Sequence, residues 1–261
     1  IIGVHNNVES NLLRRGAVIE PPGVRRGYLR YQASLVEGIE RKWCDRVTLN
    51  VVVSPVDLAS LKRTAPNARI IVVPNGGDID HFRPTAVKGS GIAYTGGAEW
   101  FPNRDALQFF CDQILPHLRA APIDIPVRWI GGASAEQRRT YQSRYGVELT
   151  GHVNDAQPFM REAACHIVPL RVGGGSRLKI LNAWAMGKPV VSTSIGCEGL
   201  AAVDGENILI RDDPRSFASA IVTVLENDAL RRRLADNGRD TAERLYSWDV
   251  IGRGMIDSYL S

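Results

Sequence analysis

The fold is decided by residues 165–193, which read CHIVPLRVGGGSRLKILNAWAMGKPVVST. The stretch opens on an apolar run, Cys165–Leu170, passes through three consecutive glycines and ends on a second apolar run, Pro189–Thr193. Between the two runs, Ser176–Met186 has apolar residues at helical spacing. A strand, a helix and a strand in this order predict a βαβ unit with two parallel strands.

The same alternation extends outward from this unit. We predict further strands at 47–53, 69–73, 91–95, 125–130, 147–149 and 207–210, further helices at 57–63, 103–118, 135–144 and 155–164, and a helical tail from 214 onward. Strands that alternate with helices favour an α/β fold with parallel sheets covered on both faces. The stretch Asp78–Gly91 shows no periodicity and predicts a linker, with a domain boundary near Val87.

Composition limits the classes of protein to consider. The chain of 261 residues, 44% hydrophobic and 23% charged, fits a globular protein of one large or two modest domains. Its net charge of +4 is too small to indicate a nucleic-acid partner. No apolar run approaches the roughly 18 residues that span a bilayer. The apolar start without Met or a leader pattern predicts a fragment or a trimmed chain.

The cysteines and histidines indicate neither a disulfide framework nor a metal site. Cys44, Cys111, Cys165 and Cys197 are widely spaced and form no C-x-x-C pair, and the five histidines are scattered. We therefore expect reduced thiols, a cytoplasmic protein and no metal.

The longest amphipathic segment before the linker is Tyr28–Cys44. Its apolar residues Leu29, Leu35, Ile39 and Trp43 recur at helical spacing. We expect this face to pack into the core rather than against a membrane, and we assign the tryptophans of the chain to packing.

The triple-glycine loop is the best candidate for chemistry. Glycine lets a ligand approach the backbone closely, and a helix that starts at about Ser176 offers free N–H groups and a positive dipole end. Arg171, Arg177 and Lys179 add positive charge beside the glycines Gly173–Gly175. The loop therefore predicts a diphosphate site, although a flexible turn with solvated basic residues is the alternative. Its spacing matches neither a P-loop nor the dinucleotide fingerprint.

Two other loops follow predicted strands. Gly96 and Gly97 would permit the close approach of a ligand or of another domain, and Asn103 is a good N-cap for the helix that follows. Glu198 is the carboxylate of the third loop, and a surface position and a ligand contact are equally good interpretations of it.

Four stretches carry a resemblance to a known family. They are His5–Ser10 (HNNVES), Val72–Asp78 with Phe82–Pro84 (VVPNGGD and FRP), Ser176–Gly196, and Tyr246–Trp248 (YSW). In this order and spacing they resemble the family 4 (group 1) retaining glycosyltransferases of GT-B architecture, in the branch that builds bacterial cell-surface polysaccharides.

The resemblance implies two Rossmann-like domains, the first of them incomplete. Residues 1–86 would be the carboxyl-side part of the acceptor domain, residues 87–245 the nucleotide-sugar-binding domain, and residues 246–261 a helix that crosses back. The implied activity is metal-independent transfer of a sugar, with retention, from a nucleotide-diphosphate sugar to a glycan or lipid-linked acceptor. No cofactor is implied, and a lipid-linked acceptor would bring peripheral contact with the inner membrane surface.

The loop chemistry and the resemblance together assign roles to residues. Catalytic roles fall to His5, Arg177 and Lys179, although a structural role for His5 is an equal alternative. Donor-binding roles fall to Gly96, Gly97, Arg171, Gly173, Gly174, Gly175, Ser176, Asn182 and Glu198. The chain departs from the family where two Glu are often found, since Gly174 and Asn182 stand there. Asn182 can bind a ribose hydroxyl, but without the strength of a charged partner.

Two alternatives stay open at this point. A module that binds a nucleotide-sugar without transferring it would explain the missing Glu pair. An oxidoreductase that uses a dinucleotide would need an acidic residue about 20 residues after a complete glycine fingerprint. Glu198 lies 23 residues after Gly175, but the fingerprint is absent.

Overall fold

The computed structural model describes residues 1–85 and 89–260, with side chains up to residue 256. Its amino-terminal part is a small parallel sheet with helices. In chain order the elements are β1 (Ile2–His5), α1 (Glu9–Ile19), α2 (Val24–Cys44), β2 (Leu49–Val52), α3 (Pro55–Thr64) and β3 (Ile70–Val72). The three strands lie in the order β1-β2-β3, with His5 beside Val52 in the register.

The carboxyl-terminal part carries a six-stranded parallel sheet. Its first elements are β4 (Ile92–Thr95), α4 (Phe101–Phe109), a π-helical turn (Phe110–Ile114), α5 (Leu115–Arg119), β5 (Val127–Ile130), α6 (Ala135–Tyr145), β6 (Val147–Leu149) and α7 (Gln157–Glu162). The remaining elements are β7 (Cys165–Val168), α8 (Leu178–Ala185), β8 (Val190–Ser192), α9 (Ser194–Cys197), β9 (Leu209–Ile210), α10 (Pro214–Glu226), α11 (Asp228–Tyr246) and α12 (Trp248–Leu260). The strand order is β6-β5-β4-β7-β8-β9, so β4 and β7 are central.

Large aromatic side chains fill the core of the second sheet. Tyr94 of β4 stacks on Trp129 of β5 with ring centroids 3.8 Å apart. Both rings are almost wholly buried, as is Trp184 of α8, whose indole N–H donates to the carbonyl of Asn207. The packing role predicted for Trp129 and Trp184 is thus confirmed, and these side chains join β4 to β5 and α8 to the segment before β9.

The predicted parallel sheets are confirmed, with shifts at the ends of elements. The helix after the triple glycine begins at Leu178 rather than at Ser176. The delay has a local cause, because Gly175 has a φ of +68° and Arg177 a ψ of 59°, and neither value is helical. The predicted boundary at Val87 lies outside the described residues, and the division into domains stays a prediction.

The amphipathic helix of the amino-terminal part does not pack as predicted. Within α2, Leu35, Ile39 and Trp43 are each about half exposed, and the buried side chains are Ala33 and Cys44. The prediction of a core face was wrong because apolar spacing marks a face of a helix but not what covers it. None of the described helices has both the length and the apolar character needed to cross a membrane.

The end of the chain returns to the amino-terminal part. Gly77 pairs with Ser247 in an isolated parallel bridge, and its N–H donates to the carbonyl of Tyr246 over 2.6 Å. The ring of Trp248 lies so close to Gly76 that an added Cβ would come within 2.7 Å of it. Residues 246–248, singled out from the sequence, therefore hold the segment after β3 against α11 and α12.

Candidate functional site

A cavity of about 260 Å³ lies at the carboxyl ends of β4 and β7. Ligands of parallel α/β sheets bind at this edge, because helix starts and loops meet there. Loops of the carboxyl-terminal part form most of its wall, and the loop after β1 closes one side. The lining residues are Asn7, Leu12, Thr95, Gly96, Trp100, Pro102, Asn103, Leu170, Gly173, Gly174, Ser176, Arg177 and Lys179.

Lys179 is half-buried and brings an amine to this cavity. Its Nζ donates hydrogen bonds to the hydroxyl of Tyr94 over 2.5 Å and to Oδ1 of Asn103 over 3.0 Å. It also lies 4.2 Å from the centroid of the Tyr94 ring. Burial, with a further contribution from the positive charge of Arg177, lowers the pKa of Lys179 to about 7. An anion in the cavity would favour the charged amine and reverse that shift.

Arg177 also has a structural role that its position in the sequence does not suggest. The side chain is only 4% exposed and donates to backbone carbonyls, through Nε and Nη2 to Ile195 and through Nη1 to Gly174. Burial lowers the pKa of its guanidinium. Arg177 thus holds two loops together while it lines the cavity, so it contributes positive charge from a fixed position.

Contacts within the protein limit the space at all three glycines, most strictly at Gly175. A Cβ on Gly175 would overlap the carbonyl oxygen of Asn6, and Asn7 Oδ1 would lie 3.2 Å from a Cβ on Gly174. A Cβ on Gly173 would lie 3.0 Å from the guanidinium nitrogens of Arg177. The loop after β1 therefore rests directly on the glycine loop, a contact that the sequence pattern does not reveal.

Asn103 is not an N-cap, contrary to the prediction. Helix α4 begins two residues earlier, at Phe101, and its cap position, Trp100, makes no side-chain capping bond. The Asn103 amide instead donates to the carbonyl of Gly97 over 3.0 Å, and its Oδ1 accepts from Tyr94 and Lys179. It thus links the loop after β4 to the Lys179 amine.

The other loop glycines divide between the cavity and the core. Gly96 lines the cavity. Gly97 lies against the backbone of Gly132, whose nitrogen would be 3.3 Å from a Cβ on Gly97. The structure therefore supports the close approach of a neighbouring loop at Gly97. Trp100, assigned to packing from the sequence, is 54% exposed and lines the cavity.

Three charged or polar candidates lie outside the cavity lining. Arg171 forms a two-point salt bridge with Asp105, with N–O distances of 2.6 and 3.1 Å, and stacks over the ring of Phe109. Glu198 accepts two hydrogen bonds from Arg15 of α1. Asn182 is half-buried on α8, one turn beyond Lys179.

His5 and the cysteines occupy positions in the strands and helices. His5 Nε2 donates to Oδ1 of Asn50 on the neighbouring strand over 2.9 Å, which fits the structural alternative for this residue. All four cysteines are free and buried. Among the residues that the structure describes, no three His, Cys, Asp or Glu side chains gather as a metal site would require.

Sequence reasoning did not single out several residues of the site. Asn7 lies in the HNNVES stretch but was given no role there, whereas Leu12, Tyr94 and Thr95 carry no motif, and all four are distant in the chain from the glycine loop. For Asn7, which follows β1, and for Tyr94 and Thr95, which end β4, the signal is their position, because the carboxyl ends of parallel strands meet at one edge.

Curated relatives of this chain transfer sugars. It is 26% identical over 239 residues to the phosphatidyl-myo-inositol mannosyltransferase of Mycobacterium leprae, covering 87% of this chain and 62% of that protein. It is 29% identical over 140 residues to the lipopolysaccharide core biosynthesis glycosyltransferase LpsE of Rhizobium meliloti, covering 51% and 40%. The chain thus spans less than two thirds of the length of these relatives.

Solved structures share the fold. The sucrose-phosphate synthase of Thermosynechococcus elongatus superimposes with a TM-score of 0.78 at 20% identity, over 99% of this chain and 66% of that one. HepE of Anabaena, solved with UDP and glucose, superimposes with a TM-score of 0.77 at 14% identity, over 100% and 71%. The α/β fold is therefore of the GT-B type.

The family assignment rests on the part of the chain that contains the cavity-forming loops of the second sheet. Residues 89–227, more than half of the chain, match the family described as glycosyl transferases group 1. This range includes β4, the glycine loop and α8. The chain therefore belongs to the group 1 glycosyl transferase family.

Proposed function

We propose that this chain binds a nucleotide-diphosphate sugar in the cavity between β4 and β7 and transfers its sugar to a glycan or lipid-linked acceptor. The observation that carries the proposal is the half-buried Lys179, which lines this cavity next to the buried Arg177 and the glycine loop. A partly desolvated cation without a carboxylate partner among its hydrogen bonds is costly, and a diphosphate would supply the missing negative charge.

The leaving group determines what the protein must do chemically. As the bond from the sugar to the diphosphate breaks, negative charge grows on the phosphate oxygens. We propose that Lys179, Arg177 and the N–H groups of the glycine loop lie beside these oxygens, where fixed positive groups would lower the barrier without reorganisation. We propose that these groups replace a metal ion, and that transfer retains the anomeric configuration through attack on the face that the diphosphate leaves.

The nucleoside is the part of the donor with the weakest support in the sequence. We propose that Asn182 binds the ribose, since it follows Lys179 by three positions on α8 and shares its side of the helix. His5 stays a candidate for the acceptor side, although its hydrogen bond to Asn50 accounts for it structurally.

The acceptor is proposed from the relatives. The mannosyltransferase of Mycobacterium leprae acts, by its name, on phosphatidyl-myo-inositol, and LpsE belongs by its name to lipopolysaccharide core synthesis. We therefore propose an acceptor of the same class, a glycan or a lipid-linked sugar. Such an acceptor would bring the protein into peripheral contact with a membrane, which sedimentation with vesicles carrying the acceptor would detect.

The two alternatives make different predictions. The family assignment removes the support for a dinucleotide-dependent oxidoreductase. A binding module without transfer activity differs from the proposed enzyme only in turnover, because both hold the nucleotide in the same cavity.

Turnover therefore tests the proposal. The chain would be incubated with UDP-, GDP- and ADP-sugars in the presence of EDTA, and released nucleoside diphosphate and the anomeric proton would be followed by NMR. We expect release from one donor class, with retention when an acceptor is present. Binding without release or transfer across a broad acceptor panel would favour the binding module instead.

A further inference from the structure

Four charged side chains meet where the amino-terminal part touches the glycine loop. Arg15 and Asp57 come from α1 and α3, whereas Arg177 and Glu198 come from the loops after β7 and α9. Arg15 bonds both oxygens of Glu198, at 2.5 and 2.9 Å, and Arg177 lies 3.9 Å from the same carboxylate. Only two of these four residues, Arg177 and Glu198, are singled out from the sequence.

Arg15 also holds the glycine loop itself. Its Nη1 donates to the carbonyl oxygen of Gly173 over 2.9 Å, so one guanidinium bonds two separate loops of the carboxyl-terminal part. In a trans peptide the N–H of the next residue points opposite to the carbonyl. When Arg15 draws the Gly173 carbonyl toward α1, the N–H of Gly174 is turned away from Arg15.

Neighbouring contacts support the same arrangement. Ser54, the N-cap of α3, packs so closely on Gly199 that a Cβ there would lie 2.8 Å from the Cβ of Ser54. Asp57 is 4% exposed and accepts from the Ser54 hydroxyl over 2.6 Å. The loop that carries Glu198 is thus held from the amino-terminal side at two adjacent points.

Resting on the function proposed above, we infer that Arg15 is a positioning residue for the donor site. From the opposite side of the contact, it fixes the carbonyl orientation of the glycine loop and the position of Glu198. The donor cavity is therefore complete only when the two parts of the chain are in contact. Arg15 does not line the cavity, so its effect on a donor passes through Gly173 and Glu198.

The neighbouring arginine provides a matched control. Arg14 lies on the same helix and pairs with Glu37 of α2 over 2.5 Å, within the amino-terminal part. Arg14→Gln and Arg15→Gln therefore remove the same chemical group and one ion pair each from α1. Only the second substitution releases the glycine loop.

Two measurements test the inference. The first is amide hydrogen exchange of residues 193–200, where the N–H groups of Gly196, Cys197 and Leu200 are hydrogen-bonded. We expect about fivefold faster exchange in Arg15→Gln than in the wild type, and no change in Arg14→Gln. The second is titration with UDP, GDP and ADP, for which we expect about tenfold weaker binding in Arg15→Gln alone.

The outcomes separate the inference from the proposed function. Unchanged exchange and unchanged affinity in Arg15→Gln would overturn the inference while leaving the function intact. A wild type that binds none of the three nucleotides would overturn the proposed function and the donor part of the inference, and the exchange data would still decide whether Arg15 holds the loop. If Arg15→Gln fails to fold, Arg15→Lys takes its place, because it keeps the charge but not the planar fork.

Discussion

Lys179 donates a hydrogen bond to Asn103, 76 residues earlier in the chain, over 3.0 Å. The bond joins the first turn of α8 to the first turn of α4, and Tyr94 of β4 completes the triangle. Because all three groups are buried or half-buried at one wall of the cavity, the amine is fixed in place before any ligand arrives. This preorganised cation is the centre of the proposed donor site.

Replacement of the Lys179 amine should remove most of the affinity for a diphosphate. We expect Lys179→Met to weaken nucleoside diphosphate binding by about 10- to 100-fold, since hydrogen bonds to a charged group contribute about 1.5–3 kcal/mol. Isothermal titration measures the change. Lys42→Met, on an exposed position of α2, is the control and should leave the dissociation constant unchanged. Equal affinities in all three proteins would place the phosphate elsewhere.

The affinity should depend on pH in a direction set by Lys179. Burial lowers the pKa of Lys179 from 10.5 to about 7, so the free protein loses this proton as the pH rises above 7. A bound diphosphate requires the charged amine, and its own second ionisation, near pH 6, is complete in this range. We expect the affinity for a nucleoside diphosphate to fall as the pH rises from 7 to 9. The fall should approach about tenfold per pH unit. In Lys179→Met the fall should be absent, and an equal slope in both proteins would refute the assignment.

Two glycine substitutions should change stability in opposite directions. Gly175→Ala places a Cβ at a φ of +68° and against the Asn6 carbonyl, which costs at least about 1–2 kcal/mol. Gly38→Ala, within α2, meets no atom within 4 Å and should stabilise that helix by about 1 kcal/mol. Thermal unfolding should show a lower midpoint for the first variant and a higher one for the second. A wild-type midpoint for Gly175→Ala would mean that the loop after β1 does not rest on this glycine.

Placing a carboxylate at position 182 of α8, where the family often has Glu, should strengthen recognition of the nucleoside. We expect Asn182→Glu to bind nucleoside diphosphates about tenfold more tightly, because a charged acceptor forms stronger hydrogen bonds with ribose hydroxyls. Pyrophosphate, which has no ribose, serves as the control ligand in the same titration. A gain for pyrophosphate as large as that for the nucleotide, or no gain for either, would contradict the ribose role of this position.

The sequence was sufficient to predict the parallel sheets and the place of the cavity. Apolar runs, glycine turns and helical periodicity are local properties, and they located β7, the glycine loop and α8 to within a few residues. They also selected Lys179 and Arg177, both of which line the cavity.

What could not be predicted depends on contacts between distant residues. Arg171 and Lys179 are both positively charged residues beside the glycine loop. In the structure Asp105 pairs with Arg171, whereas Tyr94 and Asn103 accept hydrogen bonds from Lys179. From the sequence alone, a ligand is the reason for the three glycines. The structure shows a second reason, because Asn6 and Arg15 of the amino-terminal part contact the same loop. The exposed face of α2 could not be predicted for the same reason. Apolar periodicity marks one face of a helix but does not show which element packs against it.

Thermal unfolding with UDP, GDP, ADP and NADH, in the wild type and in Lys179→Met, decides whether Lys179 holds the diphosphate of a nucleotide. A ligand at 100 times its dissociation constant adds about 2.7 kcal/mol to the folded state, or about 5–10 °C to the midpoint. We expect such a rise for one nucleoside diphosphate in the wild type, a much smaller rise in Lys179→Met, and none with NADH. No rise with any nucleoside diphosphate, or the same rise in both proteins, would contradict this role of Lys179.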